Sequence, residues 1–481
     1  MAEQTFDYVI VGGGSTGATL AAGLARDGRS TVALIEAGPG DDHPDINDLF
    51  RYRHVLRSPL TRWLPTRVTG GNNPAVTYPQ STVLGGCASH NSGLWFRPPP
   101  SDFDDWVRLG AQGWGPDDVG PLFDQLERDV GIETLTLDSP AIAALDGAVR
   151  AAGYRDVDFA CSFDEGYGRY RLNKRGTARR SAPKVYLEPR PKTVALMLET
   201  PVTRVLLDGH RAVGVATVRG PIFARRQVIL SAGAFETPKL MMLSGLGPAD
   251  ALKSHGIDVV ANLPHVGQHL LDHPAATVAY ETMRPITGLG DWRSAGVLFA
   301  RVEPGAVWPD IEIQPGAEAY DGEEGKPAAD GFCAYMTVNR ALSEGIVTLA
   351  SAEPQDAPVI APRFYTDPGG YDLRIMRGAI RLARRMLGGH GLDGYLGAEV
   401  APGASVTRDD EIDGFIRSTV TTGYHPAGTC AIGRVVGQNL RVLGVDGLTV
   451  ADASVLPAMV SVNINATCMM IGLKAAALLS G

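Results

Sequence analysis

The stretch Asp7-Tyr8-Val9-Ile10-Val11-Gly12-Gly13-Gly14-Ser15-Thr16-Gly17 decides the fold. Asp7 to Val11 is a short β-branched run, the pattern of a buried parallel strand. A helical stretch, Ala18 to Arg26, follows the glycine turn, and a second apolar strand, Thr31 to Ile35, ends at Glu36. Strand, glycine turn, helix, strand and acid in this order form the βαβ dinucleotide fingerprint. Gly12 permits the tight turn, Gly14 lets backbone approach a pyrophosphate, and Gly17 allows close packing of helix on strand. The N-terminus of that helix, with its free N–H groups and positive dipole end, offers an anion site. Glu36 lies 22 residues beyond Gly14, where a carboxylate that binds ribose hydroxyls is expected. The fingerprint alone does not choose between FAD and NAD.

Outward from this unit the chain does not continue a regular βαβ series. Residues 39–44, 70–79 and 97–101 are rich in Pro and Gly and read as loops. Strand-like runs return at Val194–Thr200, Val202–Leu207 and Gln227–Leu230, then a helical Glu236–Leu243 and a late strand, Gly447–Ala451. The nucleotide-binding unit is therefore discontinuous. Between Pro285 and Arg417 the texture changes: Asp310, Glu312 and Gln314 alternate with Ile311 and Ile313, and Ile346–Leu349 is β-rich. Such alternation fits half-buried antiparallel strands and puts Glu312 on a solvent-facing side. Helical Gly370–Leu387 and Asp409–Ser418 follow, completing a candidate substrate domain. The Glu323-Glu324 pair reads as a solvated loop tip.

Composition narrows the function. With 44% hydrophobic and 20% charged residues in 481, the chain is globular rather than disordered. A net charge of −9 argues against a nucleic-acid partner. Five cysteines are scattered with no Cys-x-x-Cys pair, so neither a disulfide framework nor a zinc ribbon is expected and a reducing cytoplasm fits. The acidic start, Met1 to Asp7, runs straight into a strand, so no signal peptide is expected. No apolar run reaches ~18 residues, so no membrane span is expected. His265, His269 and His273 are spaced four apart, but Pro264, Gly267 and Pro274 break any helix that would align them, and no metal site is expected.

Five further strings stand out. They are Leu84-Gly85-Gly86-Cys87-Ala88-Ser89-His90-Asn91-Ser92, the segment Gly233–Gly247, His425-Pro426-Ala427-Gly428-Thr429, Asp452-Ala453-Ser454-Val455-Leu456-Pro457 and Ser461-Val462-Asn463-Ile464-Asn465. Together with the fingerprint, and in this order, they resemble the glucose–methanol–choline (GMC) oxidoreductases, most of all the choline oxidase and choline dehydrogenase branch. The resemblance implies an α/β fold with α+β insertions. A Rossmann-like FAD-binding domain (residues 1–150, 191–282 and 418–481) would carry a discontinuous antiparallel-sheet substrate-binding domain (151–190 and 283–417).

It also implies roles. FAD would be held by Gly12, Gly14, Ser15, Thr16, Gly17, Glu36, Gly85, Gly86, Asn91, Ser92, Val202, Asp452, Ala453 and Asn465, with His90 the candidate for a covalent flavin bond. His425 would take the hydroxyl proton of an alcohol and Asn463 would hold its oxygen while hydride leaves for flavin N5. Histidine suits the first task near neutral pH, and an amide can donate without titrating. Oxygen, giving hydrogen peroxide, or an electron carrier would be the final acceptor. Tyr424, Trp63, Trp95 and Glu312 are candidate members of a substrate cage of the kind that binds quaternary ammonium groups. Thr82 stands where the family usually has Arg or Lys. Alternative readings are a hydroxynitrile lyase-like enzyme that holds FAD without net redox use, and a non-catalytic dinucleotide-binding protein. Oligomeric state is not legible.

Overall fold

Val9, Ile10 and Val11 are almost fully buried, as side chains covered on both faces of a sheet must be. In the computed structural model, which describes residues 4–68, 74–319 and 329–480, their strand spans Gln4–Val11. The Glu323-Glu324 pair lies outside the described residues. Gln4–Val11 pairs in parallel with Val32–Ile35 on one side and Gly220–Leu230 on the other. Val194–Met197 and Leu448–Val450 extend the parallel part, and Arg211–Thr217 and Val202–Asp208 add an antiparallel meander, giving seven strands.

The helix expected from Ala18 starts earlier and covers Ser15–Leu24, so the fingerprint glycines lead directly into its first turn. The C-terminal helix, Asn465–Ser480, packs along it. The two approach so closely that a Cβ on Gly23 would lie 2.5 Å from Ala476, and one on Gly472 would lie 2.8 Å from Thr19. Three helices, Pro100–Arg108, Pro116–Val130 and Pro140–Ala151, have no counterpart in the sequence reading. Each opens on a proline, which suits a first turn whose N–H has no helical partner.

A second seven-stranded sheet is wholly antiparallel. Its main order is Leu396–Ala401, Pro274–Thr282, Phe332–Val338, Ile311–Gly316, Gly296–Ala300 and Gly166–Arg169, with Thr421–Thr422 added beside Pro274–Thr282. The amphipathic helix Tyr371–Leu387 buries Ile375, Met376, Ala379, Ile380 and Ala383 against it. Pro274–Thr282 belongs to this sheet, so the change from one sheet to the other precedes residue 282. Each sheet has its own hydrophobic core. All five cysteines are free. Among the described residues no helix is long and apolar enough to cross a membrane.

Candidate active site

A cavity of about 710 Å³ runs between the two sheets. At one end the fingerprint turn builds its wall. Gly12, at φ +104°, adopts a conformation that favours glycine, and a Cβ there would meet Ser231 O at 2.3 Å. Gly14, Ser15 and Thr16 line the cavity with Gly12. Gly17 faces away: a Cβ on it would fall 1.9 Å from Gly12 O, so its part is to let the helix close on the turn. The second glycine loop docks on the first, with Gly85 N donating to Gly13 O at 2.9 Å; Gly86 reaches the cavity and Gly85 supports it from behind.

Glu36 lines the same end and is 7% exposed. It accepts from Gly13 N at 3.0 Å and Gly38 N at 2.9 Å, yet burial outweighs these bonds and raises its pKa. Val202 and Ala453 also line the cavity. Asp452, at the end of strand Leu448–Val450, holds the segment after Leu230 by accepting from Gly233 N at 2.8 Å and Thr237 Oγ1 at 2.6 Å.

His90, Asn91 and Ser92 line the middle of the cavity. His90 Nδ1 lies 2.5 Å from Ser81 Oγ, and burial, with the Arg179 guanidinium nearby, pushes its pKa down to about 3. This leaves a neutral imidazole with Nε2 as its uncommitted nitrogen. The buried Arg179 fixes the loop by donating to Ala88 O, Asn91 O and Asn91 Oδ1.

At the far end stand Tyr424, His425 and Asn463. Tyr424 takes a left-handed backbone, φ +63°, steadied by its N–H donating to Thr422 Oγ1 at 2.7 Å. The strain delivers the next residue, His425, into the cavity. Its Nε2 is 3.1 Å from Asn463 Nδ2 and its Nδ1 is 2.9 Å from His273 Nδ1. Burial, and then His273, hold His425 well below the ordinary histidine range.

Hydrogen-bond bookkeeping fixes the tautomers. His273 Nε2 lies 2.9 Å from Val460 O, which can only accept, so Nε2 carries the hydrogen. Burial pushes the His273 pKa down to about 4, so its Nδ1 is a bare acceptor. His425 must then donate from Nδ1, which leaves its Nε2 lone pair facing Asn463. Asp272 joins the two histidines, its Oδ1 accepting from His273 N at 2.8 Å and His425 N at 2.9 Å. Its Oδ2 accepts from Tyr78 OH at 2.6 Å and from the Thr422 hydroxyl. Asp272 and His273 were not singled out from sequence as site residues. His273 was weighed only within a three-histidine spacing that the structure disperses, since His269 instead faces Pro457 O and Glu344.

Three expected cage residues are elsewhere. Trp95 is fully buried, its Nε1 donating to Glu127 Oε1 at 3.3 Å, because Leu94-Trp95-Phe96 is a core run. Trp63 shares its strand with Arg62, and alternation gives the cavity Arg62 rather than the tryptophan. Glu312 is neither in the cavity wall nor solvent-facing: it is 2% exposed, because the polar face of its strand is covered by the rest of the molecule rather than by water. The aromatic residues that do line the cavity besides Tyr424 include Tyr52, Tyr170, Trp292 and Tyr335.

The residues fit FAD. Two buried polar atoms in the cavity wall, Asn463 Oδ1 and Asn465 Nδ2, have no hydrogen-bond partner among the described residues, although Asn465 Oδ1 accepts from Ser15 Oγ at 2.7 Å. Buried polar groups are rarely left unpaired, so these ask for a polar ligand.

The family profile described as GMC oxidoreductase matches residues 6–275, and its C-terminal counterpart matches 341–472. Choline oxidase from Arthrobacter globiformis is 35% identical over 100% of this chain and 95% of its own length. An oxygen-dependent choline dehydrogenase from Brucella ovis is 36% identical over 98% and 94%. The crystal structure of pyridoxine 4-oxidase from Mesorbium loti superposes with a TM-score of 0.89 at 27% identity, covering 98% of both chains. With its fold, its cavity and both matched regions in agreement, the chain belongs to the GMC oxidoreductase family and is an FAD-dependent alcohol oxidoreductase.

Proposed function

We propose that His425 and Asn463 are the catalytic pair for oxidation of an alcohol to an aldehyde or ketone. The carrying observation is the bare Nε2 of His425 at 3.1 Å from the Asn463 amide. A substrate hydroxyl entering between them donates to His425 Nε2 and accepts from Asn463 Nδ2. His425 holds the proton as it leaves the oxygen, and Asn463 steadies the developing negative charge without titrating. His273 and Asp272 are positioning residues that keep the His425 lone pair on the correct nitrogen. When bound, FAD supplies the acceptor for the hydride released by the carbinol carbon.

Gly12–Thr16 and the first turn of the following helix would hold the pyrophosphate, and Glu36 the ribose hydroxyls. Val202 would meet the adenine side, and Asp452, Ala453 and Asn465 the cofactor's polar chain and ring system. His90 is proposed as the covalent anchor, since a neutral imidazole with an uncommitted Nε2 is a competent nucleophile. The unit of residues 1–150, 191–273 and 423–481 would carry FAD, and that of 151–190 and 274–422, which takes in the strands Pro274–Thr282 and Thr421–Thr422, the substrate. Oxygen, giving hydrogen peroxide, is proposed as the acceptor, in line with the names of the choline oxidase and oxygen-dependent dehydrogenase relatives. A cytoplasmic location fits the five free cysteines.

For the substrate we propose an alcohol whose non-reacting part packs among Tyr52, Tyr170, Trp292 and Tyr335. A choline-specific cage built from Trp63, Trp95 and Glu312 is not part of this proposal. Anaerobic mixing with a panel of alcohols, including choline and arylalkyl alcohols, tests the reaction: the flavin absorbance should bleach. No bleaching by any alcohol would sink it. Acid precipitation tests the anchor, since a yellow pellet supports His90 and a yellow supernatant removes it.

A further inference from the structure

Glu312 is a buried acid that the chemistry above does not use. It lies on strand Ile311–Gly316, two residues from Gln314 and on the same face. Gln314 lines the cavity and Glu312 does not. Its partners across the sheet, Phe299 and Thr337, carry no charge, and among the described residues it has no ion-pair partner. Burial outweighs the hydrogen bond from Gln314 and pushes its pKa up to about 7.

A row of polar atoms leads from it along the cavity wall. Gln314 Nε2 is 2.7 Å from Glu312 Oε1, and Gln314 Oε1 is 3.1 Å from Tyr170 OH. Tyr170 OH is 2.8 Å from Ser294 Oγ, and Ser294 Oγ is 2.6 Å from Pro315 O. Counting hydrogens gives this row a direction. A carbonyl only accepts, so the single hydroxyl hydrogen of Ser294 goes to Pro315 O. Ser294 can then only accept from Tyr170, whose one hydrogen is spent there; burial raises the Tyr170 pKa far enough to keep that hydrogen in place. Gln314 must therefore offer an N–H to the Tyr170 oxygen, which its amide does by half a turn about its last bond. That turn puts the Gln314 carbonyl opposite Glu312, where only a donor satisfies it.

We infer that Glu312 is a neutral carboxylic acid that donates to Gln314, and that it is a positioning residue for specificity. Glu312 and the Pro315 carbonyl hold the two ends of the chain Glu312, Gln314, Tyr170, Ser294, Pro315 carbonyl, and together they make Gln314 present N–H rather than C=O to the cavity. The preferred alcohol then carries a hydrogen-bond acceptor, such as an ether or carbonyl oxygen, in its non-reacting part. An ionised Glu312 would reverse the chain and select donor-bearing alcohols instead.

The protonation state is read without turnover by infrared difference spectra of the full-length protein at neutral pH, wild type minus Glu312→Gln. A carboxylic acid C=O stretch assigned to Glu312 is expected, and a carboxylate pair in its place overturns the inference. Glu312→Leu provides the same subtraction if the first variant does not fold. The specificity arm rests on the alcohol oxidation proposed above and uses 2-phenoxyethanol against 3-phenylpropan-1-ol, which differ by an ether oxygen in place of a CH2. Glu312→Gln can donate as the acid does, so the ratio of kcat/KM values should stay within about twofold of wild type. Glu312→Leu should lower it about tenfold, the scale of one lost hydrogen bond. An unchanged ratio in the leucine variant, or a reversed one in the glutamine variant, refutes the positioning role. Failure of the wild type to oxidise either alcohol bears on the proposed reaction, and the infrared result then decides the inference alone.

Discussion

Around Gly12–Thr16 the wall of the cavity is main chain, drawn from one continuous turn and hardened by glycine contacts. Around His425 it is side chain, assembled from Tyr78, Asp272, His273, Thr422 and Asn463, which are hundreds of residues apart in places. Main-chain groups cannot be mutated away, so the first end is sensitive to added bulk. The second end is sensitive to lost hydrogen bonds, and each loss should be gradable. One cavity thus has a binding end that fails abruptly and a chemical end that fails by degrees.

The sharpest way to break this contrast is Gly17→Ala, which sets a Cβ 1.9 Å from Gly12 O. It should cut flavin retention at least about tenfold, ~1.4 kcal/mol, read from the flavin-to-protein absorbance ratio; normal retention would show that the turn yields. His425→Ala should keep the flavin and lower kcat/KM by about 10²–10⁴-fold, the usual worth of a placed general base. Asn463→Ala should cost about ten- to a hundredfold, ~1–3 kcal/mol, in steady-state kinetics. His273→Ala should cost roughly tenfold and move the acid limb of the pH profile, because His425 Nδ1–H loses its acceptor.

The smallest effect concerns pH in the unaltered protein. The base role proposed for His425 needs a neutral imidazole, and burial holds its pKa well below the ordinary range. Activity is therefore present above that lowered value and is lost as pH falls through it. For 3-phenylpropan-1-ol, whose non-reacting part makes no hydrogen bond to Gln314, kcat/KM should change by less than about twofold between about pH 7.5 and the ordinary histidine value of about 6.5. A half-maximal point at or above 6.5 would show that His425 is less desolvated in the working enzyme.

The same contrast explains what could be read from sequence. Gly12, Gly14 and Glu36 are legible as cavity wall because a tight glycine turn followed by an acid leaves a local signature at fixed spacing. His425 and Asn463 are legible through motif resemblance, not through periodicity. Asp272 and His273 are side-chain contacts across a fold, and no local pattern announces them. Glu312 was misread because alternation tells which face a residue takes but not whether that face meets water or protein. The prolines at 100, 116 and 140 offered a helix-start signal that went unused amid a glycine- and proline-rich texture.

The pairing of Ser15–Leu24 with Asn465–Ser480 has a consequence for how the enzyme is made. The strand and the helix that complete the surroundings of the fingerprint turn, Leu448–Val450 and Asn465–Ser480, are synthesised long after the turn itself. Contacts this distant in sequence are slow to form and cannot form before Asn465–Ser480 has been made. The Gly23–Ala476 and Gly472–Thr19 contacts therefore act as a completion check. A chain that stops before Asn465 carries the Gly12–Gly17 turn without its closing partner, so the cofactor capture proposed for that turn waits for this helix.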